Sequence, residues 1–359
     1  MPDAFELWSR AILHRIVSAV TSFALFRRAL SMSISENPII GSGEFVYECH
    51  HNWDRRGLPV GYEYGNASHG IAFDSQGLIY VSHNGNPGSI FVFDGDGRFV
   101  KAMGEIHNAG PAAKGHGISI RKEGSEEFLY LAPADSAMAF TKMSLTSEVV
   151  WQKNRDTINL ESGGLLEDPE LGFKPTKISF RPDGGYYLGD GYGSHYVFEY
   201  DSHDRFVRAL GGHGTAAGKF STPHGHWLDD RDGTPKLVVA DRANMRLQWF
   251  GMDGQHLQSI GGFLFPADID VRGEFLLVPD LHARLTMLNG KNEVVAQLGD
   301  DETWRHAVLA DNFAMRGKPE QWRPGRFVHP HDARFDTEGN IYVAEWVRTG
   351  RITKLVRTT

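Results

Sequence analysis

The sequence predicts an all-β fold, a six-bladed β-propeller, on three observations. A strand–turn–strand unit rich in Val, Ile, Tyr and Phe recurs six times along 359 residues. Gly-Asp and Asp-Gly turns separate its strands, and the spacing of about 45–60 residues per unit is that of four-stranded blades. A short strand-like segment near residue 45 is left over at one end, while the last unit is one strand short. A β-sandwich would show no such repeat.

The first strands open at SHGIAFD (68–74), GHGISI (115–120), PTKISF (175–180), PHGHWLD (223–229), PADIDV (266–271) and PHDARFD (330–336). Second strands follow as LIYVSH, FLYLAP, GYYLGD, KLVVAD, FLLVPD and NIYVAE. Third strands include SIFVFD, SHYVFEY, RLQWF, RLTML and RITKLV, and fourth strands end in FVKAMG, FVRALGG, HLQSIGG and VVAQLGD. The segment FVYECH (45–50) has the form of the outer strand that the sixth blade lacks. Pairing it there closes the ring and removes a free edge.

Residues 39–359 are assigned to the propeller and 1–38 to an N-terminal extension. Within that extension, 11–30 reads as helical, with Arg10, Arg15, Arg27 and Arg28 bracketing an apolar run over 16–26. Eleven residues are too few to cross a bilayer. Arg27 and Arg28 stand where a signal peptide would need small residues, so an Arg-bearing targeting segment and a start at Met32 are both open readings.

Lys and Arg total 37 against 45 Asp and Glu, a formal charge of −8. That balance argues against a nucleic-acid surface, which needs a basic stripe to displace counterions. No transmembrane span is expected, a small-molecule substrate is, and a protein partner stays open. Cys49 is the one cysteine, so no intramolecular disulfide can form; this fits a reducing, cytoplasmic setting without requiring one.

Propeller topology brings the start of each first strand, the end of each second strand and the links between blades to one end of the channel. Two links, 154–173 and 301–327, are enlarged, which marks a binding face. Histidine opens blades one, two, four and six: His69, His116, His224 and His331. The last three are 108 and 107 residues apart and fall on alternate blades, about 120° apart. Three imidazoles converging with room for a further ligand suit a catalytic zinc, although iron and cobalt accept the same donors. His69 is off this threefold set and is expected to be a supporting residue. His226 and His329, two residues from His224 and His331, could replace them if the strands alternate the other way.

Second-strand ends add His83, Asn84 and Asp190 as candidate substrate contacts, along with Tyr192, Asp241 and Arg242, Asp280, and Glu345. Asp241 with Arg246 and Asp280 with Arg284 recur at similar spacing, as ion pairs within blades would. Tyr192 and Arg242 stand outside that recurrence. A phenol and a guanidinium facing a metal can move a proton and hold an anion.

These motifs resemble the NHL-repeat propellers, and more narrowly the peptidyl-α-hydroxyglycine α-amidating lyases. The resemblance runs over roughly 66–357 and is sharpest in DGYGSHYVFEYDSHDRFVRALGGHGTAAGKFSTPHGHWLDD and LVVADRANMRLQWF. It implies zinc on His116, His224 and His331, a catalytic Tyr192, an active-site Arg242, and a structural calcium at Asp332. Where the family carries a further arginine on blade one this chain has His83-Asn84, and the family's disulfides are missing. The resemblance therefore implies a retained metal core with an altered substrate end. A zinc-dependent lyase, with hydrolase as a variant, is the expected activity. The rival from another class is a non-catalytic NHL-type propeller that binds a ligand or protein on the same face. A sugar-lactone hydrolase would want Glu, Asn and Asp around the channel instead of imidazoles.

Overall fold

A computed structural model describes residues 37–109 and 112–358. The expected extension over 1–38 lies outside them except for Asn37 and Pro38. Five four-stranded antiparallel sheets and one five-stranded sheet form the six blades. Blade 1 comprises Ser68–Phe73, Ile79–His83, Ile90–Phe93 and Phe99–Met103, and blade 2 comprises Gly117–Glu123, Glu126–Ala132, Phe140–Ser144 and Val149–Lys153. Blades 3, 4 and 5 begin with Lys177–Phe180, Pro223–Asp229 and Asp270–Arg272. These are the blade openings that the repeat predicts.

Blade 6 closes the ring. Its three C-terminal strands, Pro330–Phe335, Ile341–Glu345 and Arg351–Arg357, are joined by Phe45–His50, which runs antiparallel to Arg351–Arg357 with Cys49 opposite Leu355. A fifth strand, Ile39–Ser42, extends this sheet outward. The sequence reading did not include it, because four residues ending in Gly-Ser carry little strand pattern.

Blades adhere through side chains that alternate between the two faces of each strand. Between blades 6 and 1, Ile71, Val81, Phe91 and Phe93 pack on Tyr342, Ala344 and Ile352. Between blades 3 and 4, Tyr187 and Val197 meet Leu237, Val239 and Phe250. Each such side chain contributes roughly 1.5–3 kcal/mol by leaving water. Cys49 is buried and free, so these seams carry the stability that other small-core proteins take from disulfides.

Both enlarged links fold into capped helices. Asn154 accepts the Thr157 N–H at 2.9 Å to start Arg155–Glu161, and Asp301 accepts the Trp304 N–H at 2.8 Å to start Glu302–Phe313. Each cap satisfies an N–H that the first turn leaves without a partner. Ile158, Leu166 and Phe173 anchor the first link on blades 2 and 3. Trp304, Val308 and Met315 anchor the second beside Val328 and Val347 of blade 6. Its helix breaks at Ala310, and Asp311, Asn312 and Phe313 all take left-handed backbone angles. Among the described residues, no helix is long and apolar enough to cross a membrane.

Candidate metal centre

Local irregularity in the innermost strands aims the histidines at the channel. In blade 4, Pro223 pairs with Asp241 but His226 pairs with Val239, so the inner strand carries one extra residue between them. The same one-residue excess separates Ser68 from Ile71 in blade 1 and Pro330 from Asp332 in blade 6. His69, His224 and His331 occupy these bulges, which bend a strand and redirect its side chains. His116 sits just ahead of its strand, at Gly117. A Cβ at Gly117 would lie 2.2 Å from the Thr176 carbonyl oxygen, and one at Gly225 would lie 2.4 Å from Asp268 Cα. Glycine after the histidine thus lets neighbouring inner strands close to contact.

The three alternate-blade rings form a nearly equilateral triangle, with centroids 4.8 Å apart for His116–His224 and 4.7 Å apart for His116–His331 and His224–His331. Each is clamped from behind by the next blade. His116 Nδ1 lies 2.9 Å from Thr176 O, His224 Nδ1 lies 2.6 Å from Ala267 O, and His331 Nδ1 lies 3.0 Å from His69 O. A carbonyl only accepts, so each Nδ1 carries the proton and each Nε2 presents a lone pair.

Two of those lone pairs face one another, with His116 Nε2 and His224 Nε2 3.2 Å apart. Neither can donate while its Nδ1 holds the proton. Burial pushes the His116 pKa down to about 3 and His224 well below its ordinary value, the latter helped by Arg242 and His116. An added proton is therefore not what joins them. Nitrogens bound tetrahedrally to zinc at 2.0–2.1 Å would lie about 3.3–3.4 Å apart. The donor chemistry and spacing fit a divalent cation.

His69 belongs to this cluster, contrary to the supporting role expected for it. Its ring centroid is 4.9 Å from His116 and 4.8 Å from His331. His69, His116 and His331 each offer a ligand atom within 4.8 Å of the others. That group and the alternate-blade triangle differ in their third member and share the His116–His331 edge. Among the described residues it is the His69 set whose ligand atoms all lie within 4.8 Å of one another, while His116 and His331, common to both sets, are held at Nδ1 by carbonyls. The His-Gly dipeptide at 69–70, 116–117 and 224–225 is the sequence signal that would have placed His69 here.

His226 and His329 face elsewhere. His226 Nδ1 meets Ser179 Oγ at 2.6 Å, and His329 Nδ1 meets Leu281 O at 2.7 Å. Tyr192 and Arg242 do reach the cluster. The Tyr192 hydroxyl donates to His224 Nε2 at 2.8 Å and accepts from Arg242 Nη1 at 3.0 Å. Arg242 is buried over the Phe265 ring, its Nη2 lacks a partner, and burial lowers its pKa.

Other expected site residues are placed in structural roles. Asp190 Oδ2 accepts from Ser194 N–H at 2.8 Å and its hydroxyl at 2.6 Å, while its other oxygen takes the Lys174 N–H. Asp241 binds the Ser221 N–H, Asp280 the Leu264 and Phe265 N–H groups, and Glu345 the Val328 N–H. In blades 3 to 6 a carboxylate at the end of the second strand thus clips the incoming link, and Asp190 is the blade 3 version. Arg246 and Arg284 complete the clips at 2.7 and 3.4 Å, as their spacing suggested. His83 is fully buried against Phe91, ring centroids 3.8 Å apart, and accepts the Gly85 N–H. Asn84 is half-buried beside it, with its backbone N–H bonded to Ala67.

Asp332 lies in a buried ionic layer. Lys177 Nζ and Arg334 Nη2 reach Asp268 Oδ2 at 2.7 and 2.8 Å, and Arg334 Nε lies 3.0 Å from Asp332 Oδ1. Asp332 Oδ2 accepts the Ile71 N–H at 2.9 Å. Burial, opposed by Arg334, pushes its carboxyl up to about 6. Calcium wants six to eight oxygens, whereas two cations already serve these carboxylates. The residues do not fit the calcium that the resemblance implies.

No protein-family model matches the chain, and neither does any curated protein. Among solved structures it is similar to virginiamycin B lyase from Staphylococcus aureus, at 12% identity and a TM-score of 0.53, over 86% of this chain and 99% of that one. It is also similar to a gluconolactonase from Xanthomonas campestris, at 11% identity and a TM-score of 0.59, over 90% and 95%. A Bacteroides thetaiotaomicron protein of unknown function matches at 12% and 0.58, over 86% and 76%. These likenesses support the propeller and do not single out the amidating lyases. The chain is a six-bladed β-propeller with four buried imidazoles gathered at one end of its channel.

Proposed function

We propose that this protein is a zinc-dependent, lyase-like enzyme acting at a hydroxyl- or carbonyl-bearing carbon of a small polar substrate. The observation that carries the reading is the approach of His116 Nε2 and His224 Nε2 to 3.2 Å within a ring triangle completed by His331. Zinc on those nitrogens would polarise a substrate oxygen and ease its deprotonation. Tyr192, 2.8 Å from His224 Nε2, lies within proton-transfer reach of any group seated beside that nitrogen. Arg242 holds the phenol oxygen at 3.0 Å and offsets negative charge there. In the lyase version the carbon–nitrogen bond of a carbinolamide breaks and its hydroxyl carbon becomes a carbonyl. The Tyr192 hydroxyl gives its proton to the departing nitrogen as it takes up the substrate hydroxyl proton, so the phenol ends as it began.

The solved neighbours include lyases and a lactonase. The lyase reading is favoured here because the carboxylates Asp190, Asp241, Asp280 and Glu345 are all engaged with link backbone. That leaves imidazole, phenol and guanidinium to do the chemistry.

Elemental analysis tests the reading. One zinc per chain is expected in the wild type and none in His116→Ala, with turnover of a carbinolamide lost alongside. Tyr192→Phe is expected to keep its zinc and lose about 10²–10⁴-fold in kcat. Full activity after exhaustive chelation would reject the proposal.

A further inference from the structure

His116 and His331 belong to two triangles at once. His224 completes one, with its centroid 4.8 and 4.7 Å from theirs. His69 completes the other, at 4.9 and 4.8 Å, with ligand atoms mutually within 4.8 Å. His69 is buried, 4% exposed, and lacks the close carbonyl contact that holds Nδ1 of the other three rings. Meanwhile His224 Nε2 already accepts the Tyr192 hydroxyl at 2.8 Å.

We infer that the centre has two adjoining donor sets for a single ion: His116, His224 and His331, and alternatively His69, His116 and His331. The inference rests on the metal reading above. One imidazole nitrogen binds one cation, so the shared pair makes the two positions mutually exclusive and the stoichiometry stays at one. In the blade 1 position, His224 Nε2 is left to the Tyr192 proton. In the other position, His224 is a ligand and the Tyr192 hydroxyl is released toward substrate. The chain thus exchanges a metal ligand for a proton acceptor without moving its backbone, since three of the rings stand on packed inner strands and His116 immediately precedes the fourth.

Titration of chelator-stripped protein with Zn²⁺ and with Co²⁺ tests this. His224→Ala is expected to hold one ion per chain about 10–100-fold more weakly than wild type, and His69→Ala/His224→Ala to hold none. Equal binding by the single and double variants would overturn the inference, as would no binding by His224→Ala. Were the double variant to misfold, X-ray absorption of Co²⁺-loaded His224→Ala decides alone: three coordinated imidazoles are expected, and two would refute it. Binding by His116→Ala equal to wild type would instead bring down the underlying metal reading, so the two failures are distinguishable.

Discussion

Acidifying this protein from pH 7.5 to 5.5 is expected to remove much of its folding stability. Burial pushes His83, His116 and His226 down to about 3, and His107 and His329 down to about 4, from an ordinary 6.5. All five are buried in the fold. Once unfolded they bind protons near pH 6.5, so below that pH the unfolded state takes up more protons than the native one. Stability is full above 6.5 and falls continuously until the pH reaches the depressed native values. Each histidine costs about 1.4 kcal/mol per pH unit in that window, so at pH 5.5 the five together remove up to about 7 kcal/mol. Domains are typically stable by about 5–15 kcal/mol. Bound zinc adds a drop of the same sign, because protons compete for its ligands. Thermal melts across this range, run with zinc and with chelator, should both show a steep fall. A flat melting temperature in chelator would show that these rings are not buried neutral.

The second large effect lies in the ionic layer. Asp268 is the carboxylate that Lys177 and Arg334 share, and all three side chains are nearly inaccessible. The Lys177 ammonium has only the Ile118 carbonyl, at 3.5 Å, as a further hydrogen-bond partner. Asp268→Asn keeps the shape and removes the charge, which leaves the buried Lys177 ammonium without a carboxylate while Arg334 keeps Asp270 and Asp332. Breaking a buried pair this way costs about 3–5 kcal/mol, readable as a shift of the urea midpoint. The exposed Asp232–Lys236 pair supplies the contrast, and Asp232→Asn should leave the midpoint where it was. Equal midpoints for the two variants would mean that water or neighbouring groups screen the layer.

The blades were legible because strand periodicity and turn residues are local properties, repeated often enough to fix six openings. Closure was legible because FVYECH has strand pattern and no local partner. The caps at Asn154 and Asp301 were implicit in where the enlarged links begin. The placement of His69 was not legible from blade geometry alone. Angular spacing treats the ring as a wheel, whereas near the axis neighbouring strands converge, and a bulge at 68–71 turns the His69 ring into the cluster. The packing of Asp190 and His83 was hidden for a different reason. A polar side chain at the end of a second strand can face the channel or turn back to the incoming link, and a single sequence carries both options equally. Only the hydrogen bonds to Lys174, Ser194 and Gly85 distinguish them. Asp332 shows the limit of resemblance, since its calcium role depends on whether Arg334 and Lys177 stand beside it.

The closing strand imposes a schedule on biosynthesis. Phe45–His50 pairs with residues near 355, which leave the ribosome about 300 residues later, roughly 15–60 s at typical rates of 5–20 residues per second. Throughout that interval a β edge is exposed to any other chain with a free strand. His69 and His331 lie on the blades that meet at that seam, so the imidazole cluster is completed only when the ring shuts. A nascent or truncated chain can display folded blades and still lack the centre, which couples competence at the channel to arrival of the final strand.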